Sequence, residues 1–196
     1  MSNTIYEKSF FEEKKKYLPN ILKKDNISLV RVLPKDNKRL SELLDVYKRN
    51  KKHLAFWHHN WNKLLFKNID DYKKYHKEEK MLCYALYFDD KIIGTVELGR
   101  LTNYDKNMKC RKISYWIDKN YTRMGIMYNS LTMLEKALNN ENMVLLIAEV
   151  ETDNEPSINL MKKLNYSLKS ISWLVAKNGK TAMHYMEFNK LFRKKR

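Results

Sequence analysis

Residues 113–139 read as a strand, a tight loop and a helix, and that order constrains the chain more than any other stretch. Ile113-Ser114-Tyr115-Trp116-Ile117 has the apolar character of a strand, and Met127, Leu131, Leu134 and Leu138 then recur four, three and four residues apart, on one face of a helix. A loop that enters a helix this way points several unpaired backbone N–H groups outward at the positive end of the helix dipole, a setting that suits phosphate oxygens. Gly125, one of only four glycines in 196 residues, sits in that loop. On its own, such a glycine equally marks a turn or close packing.

A second stretch narrows the reading. The strand-like Val144 to Val150 leads through Glu151-Thr152-Asp153-Asn154-Glu155-Pro156-Ser157 into a short helix, Ile158 to Leu164, followed by Asn165-Tyr166. Together, W-I-x-x-x-Y-x-x-x-G-I-M and E-V-x-x-x-N-x-P-S-I-x-L-M-x-K-L-x-Y resemble the acetyl-coenzyme A-binding half of the GNAT N-acetyltransferase superfamily. Within it they are most similar to the RimJ/RimL-type branch, which acetylates ribosomal-protein N-termini. From Ile27 to about Phe188 the order of elements fits the same family.

Composition sets outer bounds. Hydrophobic residues at 43% and aromatics at 12% exceed what a disordered chain carries, and the length suits one domain with a sizeable core. No run approaches the roughly 20 apolar residues of a membrane span. The N-terminal stretch holds acidic residues and lacks the apolar core of a signal peptide, so a cytoplasmic location is expected. Cys83 and Cys110 form no C-x-x-C pair, which argues against a disulfide framework or a cysteine zinc site. The net charge of +16 invites a nucleic-acid reading. However, the basic residues are spread along the chain, and the clusters Lys14-Lys15-Lys16 and Arg193-Lys194-Lys195-Arg196 are not interleaved with aromatics. Nucleic acid is therefore not expected as the direct ligand, and a Lys- and Asn-rich coding bias accounts for the charge equally well.

In chain order, residues 1–25 form a charged extension, a helix or an arm without assigned function. Residues 26–190 are expected to form the acetyltransferase domain and 191–196 a basic tail. Asn26 to Leu33 reads as a first strand. Leu40, Leu43, Leu44 and Tyr47 mark an amphipathic helix, and Asp70 to Lys80 a second one capped by Asp70 or Asp71. Between them, Asn50 to Trp61 reads as an irregular loop. Its adjacent His58 and His59 lack the spacing of helical metal ligands, so no metal is expected. Leu82 to Phe88 and Ile92 to Leu98 make a hairpin, and Thr102 to Cys110 a polar loop. Tyr166 to Ala176, Asn178-Gly179 and Thr181 to Phe188 make a closing hairpin. The expected fold is a single mixed, mostly antiparallel twisted sheet of about seven strands flanked by helices, an α/β (α+β) domain.

The resemblance implies that acetyl-coenzyme A is the co-substrate, with no metal, and that the backbone of Trp116, Ile117 and Asp118 pairs with its pantetheine arm. Thr122, Arg123, Met124, Gly125, Ile126 and Met127 would hold the pyrophosphate, and Asn154 the pantetheine amide. The stretch around Trp57 and Trp61 resembles the N-x-x-H-L-x-x-W segment near the acceptor cleft. Family patterns place a tyrosine at position 161, where this chain has Met161; Ser157 matches the serine of the RimL-type pattern and is the candidate acid, with helix-start capping as its alternative role. Lys112 stands where the family has a glutamate, which leaves Glu97, Glu149 and Glu151 as candidate bases, with Glu97 put first. Arg123 stands where the branch pattern has glycine, Met124 where it has lysine, and Met127 where the superfamily has glycine or alanine.

The function expected is acetyl transfer to a primary amine, either a protein N-terminus or a small molecule, by a monomer or homodimer. The alternatives are a catalytically weak acyl-coenzyme A sensor and a basic RNA- or ribosome-associated scaffold.

Overall fold

A computed structural model describes residues 18–57, 66–78, 81–106, 108–138, 144–175 and 182–192. Apolar side chains on both faces of Leu82–Phe88 (β3) and Lys91–Leu98 (β4) demand cover from two sides. The chain supplies it with helices on each face of one sheet. The strands β1 (Ile21–Lys24), β2 (Ile27–Arg31), β3, β4, β5 (Thr102–Asn103), β6 (Lys109–Ile117), β7 (Val144–Glu151), β8 (Ser167–Val175) and β9 (Ala182–Phe192) form a nine-stranded sheet. Its order is β1-β2-β3-β4-β6-β7-β9-β8, with β5 pairing β6. All pairings are antiparallel except β6 with β7.

The helices α1 (Asn37–Trp57) and α2 (Ile69–Glu78) cover one face, and α3 (Ile126–Leu138) and α4 (Glu155–Lys163) the other. Leu43, Leu44, Val46 and Tyr47 of α1 pack on Ala85, Ile92 and Trp116. Leu131, Leu134 and Leu138 of α3, with Ile158 and Met161 of α4, pack on Ile93, Val96, Ile113, Leu146 and Ala148. The central strands β3, β4 and β6 thus send residues to both helix layers.

Several expectations need correction. Nine strands replace about seven, because the short β5 forms within the stretch read as a polar loop and β1 lies within the residues assigned to the extension. Pairing of Ile21 with Val30 and Lys24 with Ile27 holds β1 in place, a tertiary effect that weak local periodicity cannot reveal. Likewise β9 runs on to Phe192, into the expected basic tail. Helix α1 continues to Trp57 through most of the stretch read as a loop, since Leu54 falls on the same buried face as Leu43 and Tyr47 and packs in the same cluster. Asn68, not Asp70 or Asp71, caps α2: its Oδ1 accepts Asp71 N at 2.9 Å, and Asp71 Oδ2 accepts Lys67 N at 3.0 Å in return. Trp61, His58, His59 and the Asn178-Gly179 turn lie outside the described residues, as does the side chain of Trp57.

Candidate active site

The parallel pairing of β6 with β7 runs from Lys109 opposite Val144 to Lys112 opposite Ile147 and stops there. Both strands continue. From Ile113 to Ile117, β6 stays paired with β4, and from Ala148 to Glu151, β7 stays paired with β9. The sheet therefore opens into a wedge between the two strands, with an unpaired edge on each side.

Alternation shows which backbone groups line this wedge. Lys112 O accepts from Gly99 N at 2.8 Å, and Asp118 N donates to Ile93 O at 2.6 Å, so the even-numbered residues of β6 turn their polar backbone groups toward β4. Those of Ile113, Tyr115 and Ile117 face the wedge. Of the three residues expected to meet a ligand through their backbone, only Ile117 is so placed. Trp116 buries its ring against Tyr47 on the α1 face, with centroids 6.3 Å apart.

Asp118 is turned inward as well. Its Oδ2 accepts from Arg49 Nε at 2.8 Å and its Oδ1 from Asn120 N at 3.0 Å, and Asn50 Oδ1 accepts from Lys119 N at 3.0 Å. Helix α1 thereby holds the end of β6 where the chain leaves for the phosphate-type loop. The sequence reading missed Arg49 and Asn50, because a polar residue on a helix face carries no sign of what it meets across the fold.

Beyond a short 3-10 turn (Lys119–Tyr121), the loop enters α3. From Arg123 to Tyr128 no backbone N–H has an acceptor among the described residues, and the helical ladder begins with Asn129 N donating to Gly125 O at 3.0 Å. Gly125 has φ +73° and an added Cβ would meet nothing within 4 Å, so its lack of a side chain answers to conformation and leaves open space above the amides. Arg123, at the glycine position of the branch pattern, also has a left-handed φ of 62°. The loop keeps its course although one residue is strained. Two lysines flank the first turns of α3: Lys163 lies 4.8 Å from the centre of the Tyr128 ring and Lys24 Nζ donates to Asn129 Oδ1 at 3.1 Å. Exposed amides, the helix dipole and these cations together favour an anion.

On the far edge of the wedge, Asn154 caps α4, its Oδ1 accepting Ser157 N at 3.2 Å. The capping role considered for Ser157 thus belongs to Asn154, and the Ser157 hydroxyl is available for other partners. Met161 is fully buried in the core, so that position supplies no polar group. Tyr115 lies nearby instead: burial pushes its hydroxyl up to about 12, partly opposed by Ser157.

The carboxylates occupy the α1 face. Glu97 is buried and accepts at Oε1 from Thr95 Oγ1 at 3.0 Å and at Oε2 from Ser114 Oγ at 3.5 Å. Glu149 is exposed and pairs with Lys112 at 2.5 Å, directly over the point where the strands part. Glu151 is buried two positions further along the same face. The wedge therefore has an anion cradle at its outer end, hydroxyls on the α4 side and carboxylates on the other. Among the described residues no group of three or more His, Cys, Asp and Glu side chains is placed to hold a metal ion, and no helix is long and apolar enough to cross a membrane.

Comparison with known proteins bears on this arrangement. Residues 39–166 match the model of the acetyltransferase (GNAT) family. No curated protein matches the sequence. Among solved structures, the ribosomal L7/L12 α-N-protein acetyltransferase RimL in complex with coenzyme A is similar, with a TM-score of 0.72 and 14% identity over 90% of this chain and 98% of that one. The microcin C7 self-immunity acetyltransferase MccE in complex with acetyl-CoA and AMP gives a TM-score of 0.71 and 18% identity, covering 86% of this chain and 94% of that one. RimJ from Mycobacterium smegmatis in complex with CoA-disulfide gives 0.64 and 15%, covering 84% and 81%. At these identities the likeness is one of fold.

Proposed function

The chain belongs to the acetyltransferase (GNAT) family, and on that premise we propose that it moves an acetyl group from acetyl-coenzyme A to a primary amine. The observation that carries this reading is the pairing of the acceptor-less amides from Arg123 to Tyr128 with the wedge that opens beyond Lys112 and Ile147. In this reading the amides hold the pyrophosphate, with Thr122, Arg123, Met124, Gly125, Ile126 and Met127 forming the loop. The pantetheine runs inward along β6 as an added strand, bonded to the backbone of Ile117. Asn154 spends its Oδ1 on the helix cap and keeps its Nδ2 donors for the pantetheine amide.

Acetyl transfer needs a neutral amine, a donor to the developing oxyanion and a source of hydrogen bonding or a proton for the departing sulfur. Ser157 is the donor for the sulfur. The carboxylates Glu97, Glu149 and Glu151 line the face from which the amine approaches. Glu97 already accepts hydroxyl hydrogen bonds on both oxygens, so its part is to draw the proton through Ser114 and water rather than by direct contact. An α-amine, with a reference pKa near 8, needs less help to lose its proton than a lysine does. A protein N-terminus is therefore the acceptor we put first, and several neighbours that act on ribosomal proteins share the fold.

The test is release of free thiol from acetyl-coenzyme A across a panel of N-terminal peptides, polyamines and amino-nucleotides. Turnover with peptides bearing a free α-amine is expected. Binding of the coenzyme without turnover on any amine would leave a sensor in place of an enzyme.

A further inference from the structure

Buried hydroxyls without partners are uncommon in folded proteins, and each asks for an explanation. Tyr115 Oη is one of them, enclosed and lacking any partner in hydrogen-bonding geometry. Its position is specific. Tyr115 lies on the part of β6 that has left β7, and its side chain passes to the α4 side, where its hydroxyl comes close to Ser157. Behind it stand Tyr166 and Glu135, with Lys190 Nζ donating to Glu135 Oε2 at 2.8 Å. Burial, reinforced by Glu135, pushes the Tyr166 hydroxyl far up. Both phenols thus stay protonated across the physiological range and act as donors.

Ser157 itself is half-buried and sits in the first turn of α4, with its backbone N–H already taken by Asn154. A serine hydroxyl rotates freely, and its single proton points wherever its acceptor site is not engaged. We propose that Tyr115 is a positioning residue for Ser157: with the coenzyme bound, its Oη–H, unbonded in the coenzyme-free protein, donates to Ser157 Oγ so that the serine proton turns into the wedge toward the sulfur of the acetyl thioester. This rests on the acetyl-transfer reading above and deepens it. In the reaction, a bond forms between the amine nitrogen and the acetyl carbon while the carbon–sulfur bond breaks, its electron pair passing to sulfur. The serine proton meets that pair. The proton that the amine nitrogen loses replaces it through solvent, so Ser157 and Tyr115 end as they began and the products are one amide and one thiol.

Tyr115→Phe removes the hydroxyl alone. The expected result is a kcat lowered roughly 10- to 100-fold, with KM for acetyl-coenzyme A within about threefold of the parent and a melting temperature of the coenzyme-free protein unchanged or raised, because there the hydroxyl makes no hydrogen bond to lose. The double variant Tyr115→Phe/Ser157→Ala should be no slower than Ser157→Ala, since both act at one atom. Calorimetry gives a readout without turnover: the preference for coenzyme A over its analogue lacking the sulfur atom should shrink in Tyr115→Phe and in Ser157→Ala alike. Unchanged kcat, independent losses that multiply, or a Tyr115→Phe protein that melts early or does not fold would each overturn the role. Absence of thiol release by the parent protein would instead remove the acetyl-transfer reading itself.

Discussion

Lys112 stands opposite Ile147 in the parallel register, and neither strand finds the other again beyond that pair. Two edges of backbone that would normally be covered are left facing each other across the sheet. The Lys112–Glu149 ion pair bridges the start of the opening at 2.5 Å on the α1 face. Being exposed, it contributes little to stability. What holds the wedge in shape is the structure on either side, which leads to the following expectations.

Gly125 and Arg123 share one loop and left-handed conformations, with φ of 73° and 62°, yet substitution at each should act in opposite directions. Gly125→Ala places a side chain in the unfavourable region without any clash. Stability should fall by about 1–2 kcal/mol, and coenzyme affinity should fall with it as the amide cradle shifts.

Arg123→Gly relieves the strain at the neighbouring position. The gain is offset by the greater freedom of glycine in the unfolded chain, leaving a net stabilisation of roughly 0.5–1 kcal/mol. Urea denaturation of the two variants side by side checks the sign. A stabilised Gly125→Ala or a destabilised Arg123→Gly would contradict this view of the loop.

Gly94 has no room for a side chain. An added Cβ would come within 2.1 Å of Trp116 O, a backbone atom that cannot step aside. Gly94→Ala should therefore push β6 away from β4, cost about 1–3 kcal/mol, and weaken coenzyme binding through displacement of Ile117. A variant as stable as the parent, by thermal melting, would mean that the two strands are less tightly coupled than their register indicates.

Asp118 makes stability depend on pH. Burial raises the Asp118 pKa, and the Asn120 N–H, the Asn50 side chain and the Arg49 guanidinium more than reverse this, holding the carboxyl below its ordinary range. A carboxylate whose folded value is depressed adds stability that is present in full above the ordinary aspartate value near 4 and is lost as pH falls through the folded value. Asp118→Asn should cost roughly 1–3 kcal/mol at pH 7 and should lose less further stability than the parent on acidification below about pH 4. Denaturation midpoints on both sides of that pH decide it; equal acid sensitivity in the two proteins would remove Asp118 as the source.

Much of this was open to reading in the chain itself. The strand–loop–helix from Ile113 to Leu138 declares itself by its spacing, and Asn165 takes the left-handed conformation, φ 62°, expected of the residue that ends α4. Ser157 is found beside the wedge, but its competitor for the helix cap, Asn154, was expected to spend its side chain elsewhere. Three kinds of feature were hidden. Strand β1 exists through pairing with β2, not through its own pattern. The anchoring of Asp118 by Arg49 joins residues 69 positions apart. The orphaned hydroxyl of Tyr115 is a fact about what surrounds it, and its place in an apolar strand gives no sign of it.

Titration of the full chain with acetyl-coenzyme A in a calorimeter, repeated with Gly125→Ala, tests the central claim most directly. Saturable binding near one equivalent per chain is expected, weakened roughly tenfold or more by the substitution, as fits the loss of about 1.4 kcal/mol or more of binding free energy. No heat of binding by the parent protein, or equal affinity in the two, would show that the amides leading into α3 do not hold the coenzyme.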